Sequence, residues 1–206
     1  MNLILKIALF AICAAPLFAT AQEEIETPRV ERVMPKISLL SPALGCEFGL
    51  AKEITVYAQA SLGFGLYFNA STNNGSGSYS VVYPKTEMEI RKYYSLKSRQ
   101  RRGKNWRGNS GMFFGASASY NFDAFSERAE GNVIITKPYQ PSFSVGPIWG
   151  IQLTGVNNGN INFSFSIGPA LVFLRDGDVN LNIFGAGSFN LGFVLGNYKS
   201  KDSKRN

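Results

Sequence analysis

One segment of the chain alternates strictly between apolar and polar side chains. From Ile54 to Phe68, the even positions carry Ile, Val, Ala, Leu and Phe, and the odd positions carry Thr, Tyr, Gln, Ser and Gly. Successive side chains of a β-strand point to opposite faces, so this pattern predicts one long strand with an apolar face and a polar face. Strands of globular proteins usually have about 5–6 residues, whereas a strand that crosses a bilayer needs about 9–11. Length and pattern together predict a transmembrane strand.

Six further segments repeat this alternation along the chain. They are Lys36–Leu50, Val82–Tyr94, Gly111–Tyr120, Ser142–Gln152, Ile161–Phe173 and Val179–Gly196. Bacterial barrels usually have an even number of strands. We therefore expect an eighth strand, either within residues 26–34 or through a bend at residues 185–187 that divides the last segment. The predicted fold class is all-β, an antiparallel up-and-down transmembrane β-barrel of about eight strands.

The N-terminal residues have the pattern of an export signal. Lys6 precedes an apolar stretch that ends at Phe18, and residues 19–21 read Ala-Thr-Ala, a typical cleavage site. We expect residues 1–21 to be removed and residues 22–34 to form a polar leader that contains a candidate short strand. Residues 35–197 then form the barrel and residues 198–206 a polar tail. The predicted location is the cell outer membrane, with outer-membrane lipid as the surrounding partner.

The composition narrows the function classes. The chain has no histidine, which removes catalytic triads that use histidine, histidine metal sites and the usual near-neutral general base. No catalytic or metal-ligating motif stands out, so we expect no enzymatic activity and no cofactor. The formal net charge is +7. Because an exported protein does not meet nucleic acid, this charge favours anionic lipid head groups or an acidic cell-wall polymer as partners.

Four charged side chains share the inward phase of the predicted strands: Glu47, Glu87, Glu89 and Arg91. A lipid-facing Arg or Lys at mid-membrane costs about 2–4 kcal/mol, so the cluster belongs in the lumen. It has two interpretations. One is a polar pathway or carboxylate site. The other is an ion-pair network that fills the barrel, since eight strands enclose a space that side chains can fill.

A basic turn follows this cluster in the sequence. Its cationic residues are Lys97, Arg99, Arg101, Arg102, Lys104 and Arg107. They either contact anionic head groups, each worth about 1 kcal/mol near an anionic surface, or keep a solvated turn soluble. Outer-membrane barrels have short periplasmic turns and longer outer loops, and the loop lengths place the basic turn on the periplasmic side.

One region carries a resemblance to a known family. Residues 89–99 read Glu-Ile-Arg-Lys-Tyr-Tyr-Ser-Leu-Lys-Ser-Arg, and Gly-Lys-Asn at 103–105 and Asn-Ser-Gly at 109–111 follow. This resembles a recurrent pattern in small, uncharacterised outer-membrane β-barrel proteins of Gram-negative bacteria, which have Asn at the position of Ser95. Residues 44–48 are similar to a second run of that family. The resemblance implies an outer-membrane barrel and brings no activity with it.

The favoured function is a structural, surface-interaction or minor-channel role in the outer membrane. Two alternatives belong to other classes. A soluble periplasmic or secreted barrel that binds an apolar small ligand would have an apolar lumen and a charged exterior. An outer-membrane lipid-modifying enzyme would use carboxylate and serine side chains.

Overall fold

The computed structural model describes residues 27–71, 75–131, 139–155 and 160–196. The predicted signal segment at 1–21, residues 22–26 of the leader and the predicted tail at 198–206 lie outside the described residues. Within the described ranges, none of the helical structure is long and apolar enough to cross a membrane.

The described residues form ten strands and one short helix. The strands are β1 Val33–Ser38, β2 Ala43–Ala51, β3 Ile54–Ser71, β4 Gly75–Tyr93, β5 Gly111–Asn121, β6 Ser126–Gly131, β7 Ser142–Thr154, β8 Ile161–Leu174, β9 Val179–Ala186 and β10 Phe189–Val194. The helix, α1, spans Leu96–Arg101 between β4 and β5. These bounds confirm the predicted all-β class.

Eight of the strands close a hydrogen-bonded ring in which every pair is antiparallel. The order is β1-β2-β3-β4-β5-β7-β8-β10, and β10 pairs back with β1. The two remaining strands lengthen existing edges of the ring. β6 pairs with β4 beyond the part that pairs with β5, and β9 pairs with β8 beyond the part that pairs with β10. The expected number of eight strands is therefore confirmed for the ring.

The first predicted strand was wrong in its extent. Residues 36–50 do not form one strand, because the chain reverses at residues 39–42 and Ile37 pairs with Leu44. Pro42, which has no backbone N–H to donate to a ladder, is the last residue of the turn. This reversal creates β1 and so supplies the eighth strand of the ring. It also carries Lys36 into the interior.

The last predicted segment, Val179–Gly196, is divided into β9 and β10. This agrees with the expectation of a bend at residues 185–187. The break between β9 and β10 falls at Gly187, which has a φ of 125°. A Cβ at this position would lie 2.2 Å from the carbonyl oxygen of Ser166, so only glycine fits there. Because β9 and β10 both pair with β8, the division adds no further position to the ring.

The two faces of the strands differ as the alternation predicts. In β3, Thr55, Tyr57 and Gln59 are buried in the interior, whereas Phe64 and Leu66 are exposed on the outside. The interior is filled by buried polar side chains and, beside them, by a cluster of apolar ones. The main members of this cluster are Val30, Tyr93, Leu96, Phe113 and Ile148.

The strands are strongly staggered around the ring. When paired residues are traced from Phe173 of β8 through Phe143 of β7 and on around the ring, the path returns to β8 at Ile161. Such a stagger means that the strands are tilted steeply relative to the ring axis. Side chains from sequence-distant strands therefore meet at one level of the interior.

We predict that Gly115→Ala destabilises the ring. Gly115 lies where β5 approaches β4, and a Cβ there would be 1.8 Å from the carbonyl oxygen of Ile90. Separation of the two backbones should cost about 1–3 kcal/mol, as overpacking does. The measurement is the folded fraction, read from the heat-dependent mobility of the refolded protein on gels. Ala116→Val, on the neighbouring exposed position, is the matched control and should fold like the wild type. Equal folded fractions for the two variants would contradict the close approach.

Candidate functional site

An ion-pair network occupies the interior of the ring. We call the set Lys36, Glu47, Glu89, Arg91 and Gln152 the interior network. Its members come from β1, β2, β4 and β7, and each takes the inward position of its strand. Glu47, Glu89, Arg91 and Gln152 are 0% exposed. Lys36 is 6% exposed, so the whole network is buried.

Glu47 is the best-satisfied carboxylate of the network. Its Oε2 accepts from Lys36 Nζ at 2.6 Å. Its Oε1 accepts from the hydroxyls of Thr55 at 2.7 Å and Tyr93 at 2.8 Å. A buried charge is tolerated when it is paired and hydrogen-bonded. Glu47 meets both conditions with groups from three neighbouring strands.

The guanidinium of Arg91 is held by a hydrogen bond at its edge and by an aromatic ring on each face. Its Nε donates to Glu89 Oε2 at 2.5 Å. The guanidinium lies between two rings, 4.3 Å from the centroid of Tyr57 and 4.7 Å from that of Phe113. Cation–π contacts of this kind are strongest where water is excluded. Ser166 and Ser188 donate to the other oxygen of Glu89 at 3.0 and 3.2 Å, so the partner of Arg91 is held as well.

Gln152 joins the two ion pairs. Its Oε1 accepts from Lys36 Nζ at 2.7 Å and from Arg91 at 2.9 Å. Its Nε2 donates to Glu47 Oε2 at 3.2 Å. The network therefore holds two cations and two anions around one neutral amide. This balance is what makes the burial of four charges tolerable, because an unpaired buried ion costs several kcal/mol.

Glu87, the fourth predicted member of the cluster, lies apart from this network. It accepts from Gln59 at 2.6 Å and from Ser117 at 3.1 Å, and it pairs with Lys85 at 3.3 Å. The Lys85 side chain is 22% exposed. The structure thus brings Glu47, Glu89 and Arg91 together and places Glu87 in a separate cluster toward the β3–β4 hairpin.

Three members of this site were missed by the sequence reasoning. Lys36 was assigned to the start of a strand with no inward role, and Gln152 to the end of one. Tyr93 was given no role in the interior, but it is fully buried, whereas Tyr94 lies outside, where its hydroxyl accepts from Trp149 at 2.9 Å. The signal for Tyr93 was present, because it shares the odd phase of Glu89 and Arg91.

The end of the ring next to α1 is covered by two segments. Gln152 Nε2 donates to the carbonyl of Gly108 at 3.1 Å, and Gly108 N donates to Glu31 at 3.0 Å. Val30, one residue before, packs into the apolar cluster. The leader and the β4–β5 connection therefore cover the network at the end of the ring next to α1. This arrangement supports a filled interior rather than a polar pathway.

The predicted basic turn contains α1 and forms a compact cationic surface. Leu96 is buried and anchors the helix, while Lys97 pairs with Glu53 at 3.1 Å. Arg99 donates to the carbonyl of Asn105 at 2.8 Å, and Arg102 donates to Ser98. Partial burial, together with the charge of Arg102, lowers the pKa of Arg99 from its ordinary value.

The remaining cations of the basic turn differ in their surroundings. Arg101 and Lys104 are exposed, and Arg107 lies 5.6 Å from the ring centroid of Trp106. The surface thus presents several positive charges to whatever lies beyond this end of the ring.

Comparisons with protein-family models, with curated proteins and with solved structures found no match. Among the described residues, no three His, Cys, Asp or Glu side chains are grouped so that they could hold a metal ion. The site is therefore interpreted from its own geometry.

We predict that Lys36 and Glu47 are strongly coupled. Lys36→Met leaves Glu47 with one buried cation fewer and should lower the free energy of unfolding by about 3–5 kcal/mol. The double variant Lys36→Met, Glu47→Gln should lose less than the two single variants combined, because it removes both charges. Urea unfolding in lipid vesicles measures each value.

Lys97→Met is the matched control, because its partner Glu53 is at the surface. This exposed pair should contribute at most about 1 kcal/mol. Additive losses for Lys36 and Glu47 would show that the pair is not coupled.

Proposed function

We propose that the protein is a small outer-membrane β-barrel whose interior is closed to solutes. Its role is structural or surface-interacting, and it is not a solute channel. The observation that carries this proposal is the division of charge and apolar surface between the two faces of one ring. The interior network is buried, and large apolar side chains cover the outside.

Support for the membrane location comes from the exterior. Large apolar side chains are exposed on seven of the eight ring strands. One from each is Leu44, Phe64, Met88, Phe114, Trp149, Leu171 and Leu191. Soluble monomers rarely expose contiguous apolar patches of more than a few hundred Å². A closed ring also satisfies its backbone groups internally, as a membrane-spanning structure must.

The two alternatives fit the geometry less well. A soluble barrel for an apolar ligand needs an apolar lumen, whereas Lys36, Glu47 and Arg91 fill this one. A lipid-modifying enzyme needs a carboxylate that its substrate can reach, whereas Glu47 and Glu89 are fully buried and already accept hydrogen bonds from neighbours. The family resemblance of residues 89–111 supports the outer-membrane barrel.

The basic turn fits the head groups of phospholipid in the periplasmic leaflet. Tyr94 and Trp149 share a hydrogen bond on the exterior, directly before α1. Tyr and Trp are enriched at membrane–water interfaces, so this pair marks the expected boundary of the hydrocarbon. The cations of the basic turn then lie at head-group level. A cell-wall polymer is the second candidate partner for this surface.

We predict that the purified protein inserts into bilayers without conducting ions. In planar bilayers it should give no stepwise current, because the interior network spans the lumen. Protection of the barrel from protease in vesicles confirms insertion in the same preparation. Reproducible ohmic steps from inserted wild-type protein would contradict the closed interior, and recovery of the native protein in the soluble periplasm would contradict the membrane location.

We predict that Arg101→Gln, Arg102→Gln, Lys104→Gln weakens the preference for anionic lipid. Each exposed cation contributes about 1 kcal/mol near an anionic surface. The difference in unfolding free energy between phosphatidylglycerol-containing and phosphatidylcholine vesicles should therefore shrink, most clearly at low salt. Arg128→Gln, Arg175→Gln, which removes two exposed cations elsewhere on the chain, is the matched control. An unchanged lipid preference would assign the basic turn to solvation alone.

A further inference from the structure

Three buried side chains of the ring each keep one polar atom without a hydrogen-bond partner among the described residues. These atoms are Nη2 of Arg91, Oγ of Ser164 and Nδ2 of Asn190. Arg91 is 0%, Ser164 1% and Asn190 5% exposed. A buried polar atom without a partner loses its hydration and gains nothing in return, most of all on a charged group. Each of these atoms therefore needs a partner that the protein does not supply.

The strand pairing places Ser164 and Asn190 side by side. Asn190 of β10 pairs directly with Ser164 of β8, and Ser164 pairs with Gln152 of β7 on its other side. All three residues are buried, so their side chains share the inward face. Directly paired residues have Cβ atoms about 4.5–5.5 Å apart. Gln152, Ser164 and Asn190 thus form one polar row across three strands.

The guanidinium of Arg91 reaches this row from β4. Its Nη1 donates to Gln152, and its Nε donates to Glu89. The N–H groups around the edge of a guanidinium follow the order Nε, Nη2, Nη1, so Nη2 lies between these two contacts. Ser166, which holds Glu89, is two positions from Ser164 on the same face of β8. Nη2 therefore faces the stretch between Ser166 and Gln152, and Ser164 lies in the middle of that stretch.

The side chains around the three atoms are small. The neighbouring inward positions of β8 and β10 carry Ser166, Ser188 and Gly192. Both serines donate to Glu89, so their hydroxyls are already used. Buried water molecules typically make about three hydrogen bonds to groups that the protein leaves unpaired. Three unpartnered atoms with small neighbours meet this requirement.

The chemistry of the three atoms selects a neutral ligand. Arg91 Nη2 and Asn190 Nδ2 can only donate, whereas Ser164 Oγ can donate or accept. The ligand must therefore accept at least two hydrogen bonds. The interior network already balances two cations against two anions, so a bound anion would bring an uncompensated charge into the interior, at a large cost. Water accepts two hydrogen bonds without adding charge.

We propose that one water molecule is bound among these three atoms as a fixed part of the interior. It accepts from Arg91 Nη2 and from Asn190 Nδ2, and it donates to Ser164 Oγ. The water completes the hydrogen bonds of the buried guanidinium and extends the interior network to β8 and β10. Because the site uses interior groups alone, it forms in detergent as well as in a bilayer.

The direct test is a crystal structure of the wild-type full chain in detergent, with bromide as the sole halide. We expect one peak of electron density within about 3.2 Å of all three atoms, without anomalous signal at the bromine edge. Lack of such a peak would overturn the bound water. An anomalous bromide peak would identify an anion and overturn the neutral ligand. A continuous file of peaks along the lumen would overturn both the single water and the closed interior of the proposed function.

A double-mutant cycle tests the same bridge in vesicles. Ser164→Ala and Asn190→Ala should each lower the urea midpoint of unfolding, and the double variant should lose clearly less than the two losses combined, because both residues bind one water. Ser164→Ala with Asn162→Ala is the matched control pair. Asn162 neighbours Ser164 on the same face, but its Nδ2 donates to Thr154 at 2.7 Å, so these losses should add. Additive losses for Ser164 and Asn190, or equal coupling in the control pair, would overturn the shared water.

Discussion

The burial of Arg91 at the centre of the ring constrains the side chains around it. A guanidinium carries five N–H donors and remains charged, so its environment must supply both acceptors and a counter-charge. Glu89 and Gln152 supply acceptors, and the rings of Tyr57 and Phe113 cover its faces. Lys36 and Glu47 complete the balance through Gln152. Inward side chains of four strands, β1, β2, β4 and β7, are therefore linked through the hydrogen bonds around this buried cation.

The same alternation that encloses the charges produces the apolar exterior. In β5, for example, Phe113 packs against Arg91, whereas Phe114 on the next position is exposed. A one-residue slip of any strand would exchange its two faces and expose charge to the proposed hydrocarbon. The interior network thus links the register of the ring to its proposed location. This enclosure ends at the turn of residues 39–42, because β1 and β2 stop there while β3 and β4 continue.

Much of this arrangement was predictable from local pattern, and the exceptions have physical causes. The two faces of β3, β5 and β8 follow directly from alternation, which depends only on neighbouring residues. The turn after β1 did not, because Leu39 and Leu40 are apolar, and Ser41-Pro42 is compatible with a strand edge as well as with a turn. The role of Lys36 depends on that turn. The contact between Lys36 and Gln152, 116 positions apart, depends on the stagger of the whole ring, which no local pattern contains.

The closed interior is tested most directly by the reactivity of a thiol placed inside it. Ser166→Cys is nearly isosteric, and Ser166 is 3% exposed and donates to Glu89. In a Cys13→Ala, Cys46→Ala background in vesicles, a charged thiol reagent should modify this cysteine only after unfolding. A cysteine at the exposed position of Lys104 should react at once in the folded protein. Modification of Ser166→Cys at the rate of the Lys104→Cys control would show a water-filled passage and contradict the account.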